Sequence, residues 1–120
     1  MIKTDYKQFK IKGNNRVVYV CGPYRNSNEE LKRENILHAL RISVRLWELG
    51  WFCITPHLNT ANFEFYTDLD EDVWLEGGLE ILSRCDCIFC LKGWETSQGS
   101  MKEFELAQKL EKDVYYEDTH

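Results

Sequence analysis

The sequence predicts an α/β domain with a mainly parallel sheet of four or five strands. Three observations carry that expectation. Short β-branched or apolar runs alternate with longer stretches of helical period. The runs are followed by Gly or Pro, at Gly22-Pro23, Pro56 and Gly93. Two Ser residues, Ser27 and Ser100, are each followed three positions later by Glu, the spacing of a helix capping box.

The chain opens with a polar, basic extension over residues 1–15, in which Gln8 to Lys12 is a candidate edge strand and Gly13-Asn14-Asn15 a turn. Arg16 to Cys21 is the first strand, a continuous run rich in β-branched Val and so expected to be buried on both faces. A long helix follows the Ser27–Glu30 capping box. Leu37, Leu40, Val44 and Trp47 recur at helical spacing, with Ile36 and Leu46 in support, and read as its core face. Gly50 stands at the helix C-cap. Trp51 to Thr55 is the second strand, which completes a βαβ unit. Asn59 to Gly77 is irregular, with Phe63, Phe65, Tyr66 and Trp74 interleaved among acids. A loop of this length reads as a binding loop or a disordered one, and its acidic stretch 64–76 as a solvated face or a lid that stacks on a base. Leu75 to Ser83 is a short helix weakened by Gly77-Gly78. Cys85 to Leu91 is a buried strand, Ser100 to Leu110 a helix, and Val114 to Tyr116 a last strand. Residues 16–120 therefore form one domain.

Composition narrows the function. The 120 residues are 43% hydrophobic and 29% charged, enough for a single core. A net charge of −5 argues against a general nucleic-acid binder. No apolar run is long enough to span a bilayer, and the N-terminus lacks the apolar core of a signal peptide. Five cysteines cannot all pair within one chain, so a reducing cytoplasm is the expected compartment.

In an open parallel sheet, ligands bind beyond the carboxyl ends of the strands. The turn Gly93 to Ser100 falls there, and its helix N-terminus favours an anion. Glu103, in the first turn of that helix on this reading, is held ionised, as a carboxylate nucleophile requires. From spacing alone, capping the helix is its simpler role. The loop from Gly22 through Pro23, Tyr24, Arg25 and Asn26 occupies the place where α/β folds hold phosphate or sugar. It is neither a G-x-G-x-x-G nor a P-loop, and Arg25 reads as an exposed turn residue or as a phosphate partner. His57 follows Pro56 at the end of the second strand, and surface and pocket positions are equally open to it. Cys85, Cys87 and Cys90 form C-x-C-x-x-C within a strand and read as core packing rather than as a metal site.

Four segments in order resemble the nucleoside 2-deoxyribosyltransferase superfamily, including its nucleoside-5′-monophosphate N-glycosidases, and are most similar to a small phage and bacterial branch. They are Val18 to Arg25, Thr55-Pro56-His57, Cys85-Asp86 with the apolar strand after it, and Gly93-Trp94 through Ser97, Gly99, Glu103 and Ala107. The resemblance implies a three-layer Rossmann/flavodoxin-like fold and cleavage or transfer at the N-glycosidic bond of a (deoxy)nucleoside or its 5′-monophosphate. It implies Glu103 as nucleophile and Tyr19 as its contact. Gly22, Tyr24, Arg25, Asn26, His57, Ser97 and Gly99 would line the substrate site. No metal or cofactor is implied; the partners would be a small nucleoside or nucleotide and further copies of the chain, as a homodimer or larger. One position departs from the family. It usually carries an acid eight residues before the Asp of Cys-Asp, where Gly78 stands here, and Asp72, Glu76 or Glu80 are the candidates to replace it. That departure keeps a second reading in view, a module that binds a nucleotide without cleaving it.

Overall fold

The computed structural model describes residues 11–117. Four parallel strands, β1 (Val17–Cys21), β2 (Phe52–Ile54), β3 (Cys87–Cys90) and β4 (Asp113–Tyr116), lie in the order β2-β1-β3-β4. The helices are α1 (Glu29–Glu48), the single turn α2 (Pro56–Asn59), α3 (Glu71–Ser83) and α4 (Gln98–Lys109), with 3₁₀ turns at Phe63–Phe65 and Trp94–Thr96. The arrangement is a Rossmann/flavodoxin-like α/β fold. Gln8 to Lys10 of the expected edge strand fall outside the described residues, and Ile11 and Lys12 are not in a strand. No helix among the described residues is long and apolar enough to cross a membrane.

Alternation along β1 separates two cores, because successive side chains face opposite sides of the sheet. Val18 and Val20 point toward α1 and join Ala39, Ile42, Leu46, Trp51 and Phe89. Tyr19 and Cys21 point the other way and join Leu82, Ile88, Cys90 and Ala107 beneath α3 and α4. Full burial of side chains such as Ile42 or Leu46 contributes roughly 1.5–3 kcal/mol each. Cys85 and Cys90 lie in one core and Cys87 in the other, all as free thiols.

Three expectations are corrected. The face of α1 that meets the sheet is Ala39, Ile42, Ser43 and Leu46, whereas Leu37, Leu40, Val44 and Trp47 are exposed. Helical period alone defines a stripe without saying which side the sheet takes. Neither capping box forms. Asn28, not Ser27, caps α1 by accepting from the amides of Glu30 and Leu31. Ser97, not Ser100, caps α4 by accepting from the Ser100 amide. Much of the irregular segment is also helix. α3 begins at Glu71 because Asp70 accepts from the Asp72 amide, and Glu71 and Asp72 complement the dipole of its first turn. Gly50 stands just past the α1 C-cap at φ +89°, a backbone angle that glycine adopts at little cost.

Candidate active site

Strand order places the site. β1 and β3 are neighbours, and the chain leaves their carboxyl ends in opposite directions: β1 feeds α1 on one face and β3 feeds α4 on the other. Such a switch point leaves a crevice. Here it is a cavity of about 750 Å³, within the range of small-molecule sites. The nine residues singled out in the sequence, Tyr19, Gly22, Tyr24, Arg25, Asn26, His57, Ser97, Gly99 and Glu103, all line it.

Glu103 and Tyr19 meet at its floor. Tyr19 is fully buried in mid-β1, and its hydroxyl donates to Oε2 of Glu103. With Ser97 as the cap, Glu103 falls in the second turn of α4, past the free amides of the helix start. The expectation that the helix end keeps it ionised is therefore corrected. Burial pushes its carboxyl up from 4.5 to about 7, and the Tyr19 hydrogen bond, which favours the charged form, offsets only part of this. Burial, followed by the neighbouring charge of Glu103, pushes the Tyr19 phenol far above its usual range, so it stays a proton donor.

Gly78 explains how the pair fits. A Cβ at this position would lie 2.8 Å from the Tyr19 hydroxyl and 3.5 Å from Oε2 of Glu103. The phenol thus rests against the bare backbone of α3. Of the three acids weighed as replacements, only Asp72 lines the cavity; Glu80 is engaged with Arg84 at 3.0 Å.

His57 is buried at 4% exposure, and Tyr24 meets it edge-on at 5.9 Å. Its Nε2 lies 2.9 Å from the Pro23 carbonyl, which can only accept, so Nε2 carries the proton. Burial pushes its pKa down to about 4, leaving the ring neutral. Its Nδ1 is then a bare acceptor, and it and Ser100 Oγ are buried with no partner among the described residues. The Tyr24 hydroxyl accepts from the Asn62 amide at 3.1 Å, and Asn26 accepts from the Asn28 amide at 2.9 Å, which shapes the loop ahead of α1. Arg25 is exposed and paired with Glu71 at 2.5 Å. Lys32, buried in α1, holds Glu64 at 2.9 Å and Glu29 at 3.2 Å.

Asn35, Thr60, Trp74 and Leu75 also line the cavity and were not singled out as site residues. Trp74, Leu75 and Gly78 share one side of α3, so the signal was available once that helix was extended back to Asp70. Among the interleaved aromatics, Trp74 lines the cavity, whereas Phe65 lies over Lys32 and Tyr66 is largely exposed.

Residues 16–116 match a family described as a domain of unknown function, DUF4406. The chain belongs to that family. The matched span of this DUF4406 domain holds every cavity residue named above. No curated protein matches the chain. Among solved structures, it is similar to the 2-desoxiribosyltransferase from Leishmania mexicana, with a TM-score of 0.50 and 19% identity. The alignment covers 84% of this chain and 63% of that one, so the DUF4406 chain spans less than two thirds of its neighbour. At that identity the likeness speaks for the fold.

Proposed function

We propose that the protein cleaves, or transfers across, the N-glycosidic bond of a (deoxy)nucleoside or its 5′-monophosphate through a covalent glycosyl-Glu103 intermediate. The observation that carries this reading is the partly buried Glu103 carboxyl at the floor of an open cavity, bonded by the Tyr19 phenol. The four sequence segments that resemble the nucleoside 2-deoxyribosyltransferase superfamily support it, and all four border this cavity or the strands beneath it. In the first step, a Glu103 oxygen attacks C1′ as the C1′–N bond breaks through an oxocarbenium-like transition state. The bonding pair leaves on the base, which takes a proton from water or a nearby acid. In the second step, water or another base attacks C1′ and releases the carboxylate. Tyr19 orients Glu103 and stabilises its charged form. Gly22, Tyr24, Arg25, Asn26, His57, Ser97 and Gly99 contact the sugar, its 5′ end or the base.

Gly78 favours a second reading. The phenol occupies the space where a side chain would carry an acid, so the same cavity would bind a nucleotide without cleaving it. One experiment separates the two. The protein is incubated with the common nucleosides and their monophosphates, free base is followed by chromatography, and binding is measured by calorimetry. Base release that disappears in Glu103→Ala supports the enzyme. Binding without release, unchanged by Glu103→Ala, supports the module.

A further inference from the structure

Within the proposed N-glycosidic chemistry, on which this rests, we infer that Glu71 is a specificity-determining residue: by holding Arg25 it reserves the cavity for nucleosides with a free 5′-hydroxyl and turns their 5′-monophosphates away. A phosphate needs cations that are available to it. Arg25, just ahead of α1, and Lys32, near the start of α1, are both already matched by carboxylates. Asp70 caps α3, so Glu71 is the first residue of that helix and stands at the cavity wall. Its Oε1 accepts from Arg25 at 2.5 Å. Lys32 is held by Glu64 at 2.9 Å and by Glu29 at 3.2 Å. Four carboxyl groups, those of Glu64, Glu71, Asp72 and Glu103, line the cavity against two cationic side chains, Arg25 and the exposed Lys102. A phosphate dianion adds further negative charge to that set, whereas a hydroxyl adds none.

His57 supplies the complementary preference. It lines the cavity beneath the loop that carries Arg25, with Nε2 bonded to the Pro23 carbonyl at 2.9 Å. Its Nδ1 is a buried acceptor with no partner among the described residues. A buried acceptor left bare is costly until a donor reaches it. A ligand hydroxyl can donate to Nδ1; a phosphate dianion carries only acceptors. The Arg25–Glu71 pair is weak as a support for the fold, because its side chains are 50% and 72% exposed. Its consequence lies at the cavity wall, where the guanidinium faces a carboxylate and has no net charge left to offer an anion.

The test is the preference for monophosphate over nucleoside. It is measured on the full chain with the common nucleosides and their 5′-monophosphates, as kcat/KM for base release and as Kd by calorimetry. The wild type should favour the nucleoside by about tenfold or more, equivalent to roughly 1.4 kcal/mol. Glu71→Gln should move the ratio toward the monophosphate by about tenfold, the order expected for removing one charge a few ångströms from a phosphate. Adding Arg25→Gln to Glu71→Gln should cancel that gain, since the released guanidinium is what the phosphate meets. Mere loosening of α3 would weaken both ligands together and leave the ratio where it was. Added salt should bring the wild-type monophosphate closer to the nucleoside by screening repulsion, whereas a built phosphate site would show the reverse. A wild type that prefers monophosphates overturns the assignment, and so does a ratio indifferent to Glu71→Gln. Should Glu71→Gln fail to fold, the salt dependence decides, and monophosphate binding that weakens as salt rises overturns it. Absence of base release from every ligand defeats the proposed reaction alone, because the calorimetric ratio still decides the role of Glu71. Absence of binding by both ligand classes defeats both.

Discussion

Replacing Glu103 with Gln removes a charge from the cavity floor while keeping its shape. Burial raises the carboxyl from 4.5 to about 7 in the folded chain. At about 1.4 kcal/mol per pH unit, the ionised form costs the folded state roughly 3 kcal/mol. Between these two values the folded state keeps a proton that the unfolded chain has lost. Stability from this group is thus complete below about pH 4.5 and is lost as pH rises through about 7. His57 works in the opposite sense. Its folded value of about 4 lies below the ordinary 6.5, so its contribution is present above 6.5 and is lost as pH falls toward 4. The two slopes oppose each other below about pH 6.5, and the wild-type profile alone would hide both. The difference between wild type and Glu103→Gln isolates one of them. In thermal unfolding from about pH 5 to about pH 8, the variant should gain on the wild type steadily, by roughly 3 kcal/mol or about 10 °C at the upper end. Any pH-independent effect of the amide drops out of that comparison. Parallel curves across the range would refute the claim that Glu103 is desolvated.

Gly77→Ala should stabilise α3 by up to about 1 kcal/mol, since nothing lies within 4 Å of the added Cβ. Gly78→Ala should instead destabilise by roughly 1–3 kcal/mol and depress base release, because its Cβ meets the buried Tyr19 hydroxyl at 2.8 Å; equal shifts in thermal unfolding would contradict this. For the proposed reaction, activity should rise with pH through about 7 as Glu103 ionises. Tyr19→Phe removes the donor that favours the charged form, so it should shift that rise to higher pH as well as lower the rate; a pH–rate profile in which only the height changes would count against the role of Tyr19.

The order of strands and helices was legible because β-branched runs and terminal Gly or Pro are local signals. Boundaries shifted where two residues competed for one role. Asn28 and Ser97 each lie close to the Ser read as the cap, and each has the oxygen that the first turn needs. The inner face of α1 was misread for a different reason. Its outward stripe is richer in large apolar residues than the side that meets the sheet, where Ala39 and Ser43 fit close under the strands. All the site residues drawn from the resemblance converge on one cavity, but their electrostatics were not legible. Spacing does not report the burial of Glu103, nor that Gly78 makes room for a phenol.

That failure can be followed in magnitudes. A helix N-terminus favours a nearby carboxylate by roughly 0.3–1 kcal/mol, within the first turn only. Moving the cap from Ser100 to Ser97 carries Glu103 past that turn, so the favourable field fades. Packing α3 against β1 and α4 then removes the water that would have solvated the charge, and desolvation becomes the larger effect. The chain thus keeps an ionisable group where a well-solvated cap would have been more stable. Natural sequences tend to break local rules of this kind at functional positions. Glu103 breaks the rule at the floor of the cavity of about 750 Å³, with a phenol aimed at its charge.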